Sequence, residues 1–257
     1  MRPLKARGRT LNENGHALIC TPLVARTADV LQAELATILP KGPDVIEWRV
    51  DFFEEIHDPA RVIATARMIR QAAGSTPIIF TRRAAHEGGA AIAIEEDKVI
   101  TVYEAVCASG AIDIIDYELS QSAANKVRLR AASRKHDVAM IMSYHNFKNT
   151  PASAELVGKI TDAENQGADI AKVAVMPQSP GDVLVLLEAT LTASERIKIP
   201  MITMSMGGLG AMTRLCGWMY GSALTFAVGQ SSSAPGQIPI EDLRAALKTI
   251  QRAVSGG

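Results

Sequence analysis

The chain has 257 residues, and its 27 lysines and arginines balance 27 aspartates and glutamates. That balance excludes the one-signed field that recruits nucleic acid or an anionic membrane, so a small molecule is the expected partner. Apolar residues make up 47% and aromatics only 4%, which suits a large parallel α/β core better than an antiparallel sandwich.

The segment before residue 16 carries a turn signal at Asn14-Gly15 and is expected to form a short hairpin under the floor of the fold. HALICTPL (16–23) reads as the first strand and is followed by a helical pattern over 29–39. DVIEWRVD (44–51) precedes a helix over 59–73, whose start is signalled by Asp58 before Pro59. TPIIFTRR (76–83) leads to a helix over 95–109, and DIIDYEL (113–119) to one over 121–135. DVAMIMSYH (137–145) leads to 151–166, where Thr150-Pro151-Ala152-Ser153 before Glu155 reads as a capped start. ADIAKVAVM (168–176), PMITMSMG (200–207) and SALTFAVG (222–229) are followed by helical patterns over 180–195, 209–218 and 240–253. Eight strands, each followed by a helix through short connections, predict a single (β/α)8 TIM barrel domain over residues 1–257.

SSSAPGQIP (231–239) is too small and polar for an element and is a candidate lid. No Gly-x-Gly-x-x-Gly follows the first strand and no phosphate-binding P-loop pattern occurs, which argues against a dinucleotide or nucleoside triphosphate. Cys20, Cys107 and Cys216 are far apart and in no ligand spacing, so neither a disulfide framework nor a metal site is expected. The opening MRPLKARGRT has no apolar run of signal-peptide length behind it, and no segment reaches the ~18 apolar residues of a membrane span. A cytoplasmic enzyme or binding protein is the expectation.

Strand side chains alternate between faces, so parity sorts them. Glu47, Arg49 and Asp51 share one face of the second strand, and Ile46, Trp48 and Val50 the other. Thr81 and Arg83 pair on the third, Asp116 and Glu118 on the fourth, and Ser143 and His145 on the fifth. A barrel turns its apolar face to the helices, so these polar sets must enter the lumen near the strand C-termini, where barrel enzymes keep their chemistry.

Lys172 sits mid-strand in ADIAKVAV. On an edge strand its stem would run out to water, but strand six of a closed barrel has no edge. Its parity with Ile170 and Ala174 points it inward. Burial among other cations favours the free amine, which attacks carbonyls to form a Schiff base. His145, on the neighbouring strand, suits proton transfer in both directions, and Glu87 in the HEGG loop is placed to orient it. Arg49, Arg83 and Arg214 supply more cation than the lumen acids need, so an anionic substrate is implied. Met204 and Met206 are adaptable apolar walls, and MSMGGLG (204–210) offers backbone amides resembling a phosphate cradle. A class I aldolase acting on a sugar phosphate, or a barrel that binds a sugar acid without reaction, also fits these features.

The blocks EWRVDFF, TRRAAHEGG, SYHNF, AKVAVMP, MSMGGLGAMTRL and SSSAPGQIPI, in that order on eight strands, resemble the type I 3-dehydroquinate dehydratases of the shikimate pathway. The resemblance implies a homodimeric barrel without metal or organic cofactor, acting on 3-dehydroquinate. It implies Lys172 as the imine-forming lysine and His145 as the acid and base. Glu47 and Arg49 would hold substrate hydroxyls, and Arg83 and Arg214 would serve charge and orientation. Ser233 and Gln237 would close the lid, while Trp48, Phe226 and Ala234 are counted in the binding site. Thr21 occupies a position where a small hydroxyl, usually Ser, is expected.

Overall fold

The computed structural model describes residues 1–12, 16–92 and 94–256. Eight parallel strands alternate with eight helices. They are β1 (Leu18–Leu23), α1 (Ala28–Ile38), β2 (Val45–Arg49), α2 (Pro59–Ala73), β3 (Ile78–Thr81), α3 (Glu96–Ala108), β4 (Ile114–Glu118) and α4 (Ala123–Lys135). Then come β5 (Ala139–Asn146), α5 (Ser153–Asn165), β6 (Ile170–Val175), α6 (Pro180–Arg196), β7 (Met201–Ser205), α7 (Ala211–Cys216), β8 (Leu224–Val228) and α8 (Ile240–Val254). The sheet runs in order from β8 through β1 to β7, and Ile238–Pro239 adds a short parallel strand beside β8. It curls until its ends meet: Ala223 N donates to Met201 O at 2.8 Å, and Thr203 N to Ser222 Oγ at 3.0 Å.

The expected parity holds around the ring. Leu18, Val45, Ile79, Ile114, Ile141, Ile170, Ile202 and Leu224 form an apolar floor inside the barrel. One pleat higher stand Cys20, Glu47, Thr81, Asp116, Ser143, Lys172, Met204 and Phe226, all buried. The opposite faces, such as Ile46, Trp48, Phe80, Tyr117 and Val173, pack under the helices. A β-branched floor fills the narrow end tightly, so polar side chains are confined to the wider C-terminal mouth.

Four helix starts, those of α1, α2, α4 and α6, carry a side-chain cap. Asp58 caps α2, accepting from Ala60 N and Arg61 N with Pro59 in the first turn, and Ser179 with Asp182 forms a capping box on α6. The expected cap at 150–153 is absent: α5 begins after Ala152, which has no side chain to accept a bond, and the buried Thr150 Oγ1 has no partner. The helix expected over 209–218 is only six residues long and passes into a 3₁₀ turn over Gly217–Tyr220.

The N-terminal hairpin exists, but its turn is not the expected one. Asn14-Gly15 lies outside the described residues, and Lys5–Ala6 instead pairs antiparallel with Arg9–Thr10. The turn is Arg7-Gly8, both with positive φ (47° and 70°), as a two-residue hairpin turn matching strand twist requires. Arg7 bears the strain because its guanidinium is anchored, donating to Gly110 O and Ile112 O and pairing with Asp113 at 3.0 Å. The hairpin carries fully buried Leu4 into the apolar floor. Leu4→Ala should therefore lower unfolding stability by about 2–5 kcal/mol, measured as a drop in urea midpoint at unchanged slope. A midpoint equal to the parent's would show that the hairpin does not plug the barrel.

Candidate active site

Lys172 lies in β6 opposite Ser143 of β5 and Ile202 of β7, with 4% of its surface exposed. Its Nζ donates to Asp116 Oδ2 at 2.8 Å and to Glu47 Oε1 at 3.4 Å, and lies 4.8 Å from the Phe226 ring centroid. The nearest charges are thus carboxylates, where the sequence suggested neighbouring cations.

The charges around it are tightly paired. Arg83 NH1 donates to Glu118 Oε1 at 2.8 Å and to Ser143 Oγ at 2.7 Å, and Arg83 NH2 pairs with Asp116 at 2.8 Å. Burial alone would raise the Asp116 carboxyl, but Arg83 and Lys172 overcome it and hold the group well below the usual carboxylate range. Burial likewise works against the Arg83 charge, and Asp116 and Glu118 more than offset it. Ser143 links the two ion pairs by donating to Asp116 Oδ1, and Thr81 Oγ1 donates to Glu47 at 2.9 Å.

His145 ends the polar row of β5. Its Nδ1 is 3.0 Å from Glu87 Oε2, which also accepts the His145 backbone N–H at 2.9 Å. A carboxylate can only accept, so Nδ1 is assigned the proton and Nε2 keeps the open lone pair. Burial first, then the cations Arg83 and Lys172, hold His145 well below the ordinary imidazole value, against the pull of Asp116. It is a neutral base at pH 7. Glu87 is shifted the other way, upward through burial, partly offset by a hydrogen bond from Ser120 and by Arg83.

The mouth is covered by the segment that follows β8. Arg49 forms a two-pronged pair with Asp51 at 2.8 and 2.7 Å and donates from NH1 to Ser233 O at 3.3 Å. Gln237 Nε2 donates to Ser233 Oγ at 3.2 Å. Gly207 N and Arg214 NH2 both donate to Pro235 O, each at 3.1 Å. A Cβ on Gly236 would lie 2.1 Å from Gly207 O, so only glycine permits this close seat. The Gly207 amide, which the sequence offered as part of a phosphate cradle, is thus spent on the lid.

A narrow cavity opens between barrel and lid. Twelve of the residues expected from sequence line it: Glu47, Arg49, Arg83, Glu87, His145, Lys172, Met204, Met206, Phe226, Ser233, Ala234 and Gln237. Three do not. Trp48 faces the helices, edge-on to Phe53 and Phe80, as its parity requires. Thr21, on the same outward face as Ile19 and Leu23, packs near Ile38 and Gly229, so its hydroxyl does not enter the cavity. Arg214 stands behind the wall, donating to Phe226 O at 3.3 Å and to the lid.

Arg82, adjacent to Arg83, turns away to pair with Glu96. The expected cation surplus shrinks accordingly, since Arg49 and Arg83 are committed to acids. Of the buried arginines, only Arg214 has no carboxylate partner among the described residues, and burial pushes it down to about 10. The cavity also gains Gly88, Phe147 and Ala174, which sequence reasoning did not single out. Phe147 is foreshadowed by SYHNF, and Ala174 by its parity with Lys172. No group of three or more His, Cys, Asp or Glu among the described residues could hold a metal ion, and no helix among them is long and apolar enough to cross a membrane.

A family model for type I 3-dehydroquinase matches residues 19–254. The 3-dehydroquinate dehydratase of Albidiferax ferrireducens is 53% identical over 256 residues, spanning 100% of this chain and 97% of the relative. That of Geobacillus thermodenitrificans is 54% identical over 234 residues, spanning 91% of each. Among solved structures, the 3-dehydroquinate dehydratase of Geobacillus kaustophilus has a TM-score of 0.94 at 47% identity, covering 98% and 97% of the two chains. The type I enzyme of Clostridium difficile, solved with covalently modified comenic acid, has a TM-score of 0.93 at 36% identity, covering 98% and 99%. The likeness to a 3-hexulose-6-phosphate synthase, at 12% identity and a TM-score of 0.59, extends to the fold alone. A family model covering nearly the whole chain, and relatives at about half identity along it, place this protein in the type I 3-dehydroquinase family.

Proposed function

We propose that this chain eliminates water from 3-dehydroquinate to give 3-dehydroshikimate, in the shikimate route to aromatic amino acids, through an imine on Lys172. The observation that carries the reading is a lysine 4% exposed that shares one cavity with a neutral imidazole, 9% exposed, whose Nε2 is open.

In this mechanism His145 Nε2 takes a proton from the Lys172 ammonium, and the freed amine adds to the C3 carbonyl. The imidazolium then protonates the carbinolamine hydroxyl, which leaves as water, and a cationic imine remains. That cation draws electron density from C2. His145 removes one C2 proton, giving an enamine, and delivers it to the C1 hydroxyl, which departs as water while the C1–C2 double bond forms. Hydrolysis of the imine returns Lys172. Asp116, fixed as a carboxylate, stabilises the cationic nitrogen throughout, and no step calls on a metal or organic cofactor. The covalent ligand held by the Clostridium difficile relative supports a covalent route.

Arg214 is the buried cation left without an acid, so it is assigned to the substrate carboxylate, reached when the lid shifts. Glu47 and Arg49 are assigned to ring hydroxyls. The protein is assigned to the cytoplasm as a homodimer. Leu184 and Leu191 on α6, with Met212 and Met219 beyond it, are large exposed apolar side chains of the kind a second copy would cover.

Borohydride added with 3-dehydroquinate should fix a ligand-sized mass on the Lys172 peptide, and Lys172→Arg should carry no such mass. An unlabelled Lys172 peptide under saturating ligand would falsify the imine. His145→Ala should still be labelled, yet lose ~10²–10⁴-fold in turnover; parental turnover would remove His145 from the mechanism.

The pH dependence follows from the depressed imidazole. His145 must be neutral in the free enzyme, and its folded value lies below the unperturbed ~6.5, so kcat/KM should persist as pH falls through that value and decline only below it. An acid limb centred at or above ~6.5 would contradict the assignment.

A further inference from the structure

The His145–Glu87 pair does not end at Glu87. Ser120, just past β4, places its Oγ 2.7 Å from Glu87 Oε1, and the same Oγ lies 3.2 Å from Nε2 of His86. Glu87 is 3% exposed, while the His86 side chain is 62% exposed. Four groups on three segments therefore form one hydrogen-bonded line from the cavity to the surface.

We propose that Ser120 is a positioning residue for the dehydration, holding Glu87 ionised and turned toward His145, and that His86 locks the Ser120 hydroxyl in the donating direction. The inference rests on the acid–base role proposed for His145.

The bonding directions support it. Glu87 is acceptor-only when ionised, and Oε2 is filled by two donors from His145. Oε1 has a single close donor, the Ser120 hydroxyl. A serine has one proton to give, and it can point to Oε1 or to an unprotonated nitrogen of His86. With hydrogen on His86 Nε2, the second option closes and the proton is committed to Glu87.

The other charged groups around Glu87 do not substitute for Ser120. Arg83, on the segment after β3, favours the carboxylate, but it is engaged with Asp116 and Glu118. Glu118 of β4 opposes it by like charge. His86 Nε2 lies at the outer limit, 4.0 Å from Oε1, and is mostly in solvent. From β5, His145 contributes its backbone N–H and its neutral ring. Burial already raises Glu87, and the Ser120 bond is foremost among the influences holding it down. Without that bond Glu87 protonates nearer the working pH, and Nδ1–H of His145 then faces an uncharged acid that stabilises the imidazolium far less.

The test is the pH profile of dehydration for the parent, Ser120→Ala and Ser120→Thr, with melting temperature and borohydride labelling of Lys172 measured on each. Because turnover then fails as Glu87 protonates, Ser120→Ala should bring a Glu87-controlled acid limb of kcat upward by about one to two units, the effect of one hydrogen bond to a charged group. It should lower kcat about tenfold near neutrality and leave KM within about twofold. Ser120→Thr, which keeps the hydroxyl, should restore both limb and rate, and labelling should persist in all three proteins. Two results overturn the inference: a Ser120→Ala profile that superposes on the parent's, or equal losses in the Ala and Thr variants that track a fall in melting temperature. If the parent itself is never labelled, the imine reading fails separately, because the pH limb is read on product formation and does not depend on the label.

Discussion

The constraint on which the site depends is that a closed ring of eight strands leaves a lumen charge no route to water. A lysine entering that lumen must meet its counter-charge inside it. Asp116 supplies it, and Asp116 is in turn kept ionised only because Arg83 stands on its other side. An unpaired charge at that depth would neutralise or destabilise the fold. Arg83 is then anchored by Glu118, so β4, β5, β6 and the segment after β3 are linked through one ionic cluster with Ser143 at its centre. The arrangement fixes the position of Nζ against the pleat of β6, which is what a nucleophile needs.

The same cluster sorts the acids into two kinds. Asp116 lies between two cations, Arg83 and Lys172, and stays an anion. Glu87 has no full cation of its own, is raised by burial, and is turned toward the His145 imidazole. On the proposed mechanism Asp116 would face the imine nitrogen and Glu87 the imidazole that carries the proton, and their environments set the difference.

Much of this was legible in the chain because a barrel makes strand parity unambiguous. Once eight strands are counted, Glu47, Asp116, Ser143, His145 and Lys172 have only one face to occupy. The resemblance led away from parity at Trp48, which alternation already places among the helices, and Thr21 follows the same rule on β1. Pairing could not be read, because partners such as Arg83 and Asp116 are 33 residues apart and meet only when β3 and β4 align. The surplus of arginine thus looked like an appetite for anions, although Arg49 and Arg83 were already matched by local acids. Ser120 carried no signal at all, since a lone serine after a strand reads as a turn. The turn at Arg7-Gly8 was hidden for a related reason: the anchors that make a positive φ tolerable for Arg7 come from residues 110–113.

The lid shows how the site couples closure to charge. Its seat on Gly207 and Arg214 uses a single carbonyl, Pro235 O, and the guanidinium that holds it is a buried one without an acid. Such a group is poorly satisfied by backbone oxygens alone, and a carboxylate offers it a charge-assisted bond roughly twice as strong. On the assignment of Arg214 to the substrate carboxylate, an anionic ligand competes with the lid for it once the Pro235 side gives way. Arg49 meets the lid on the opposite side through Ser233 O while remaining clamped by Asp51, so that side can stay latched while the Arg214 side is rearranged. Under the role proposed for Arg214, a neutral analogue of the same ring has no such claim on it, and the energetic reward for seating a ligand under the lid falls selectively on the acid.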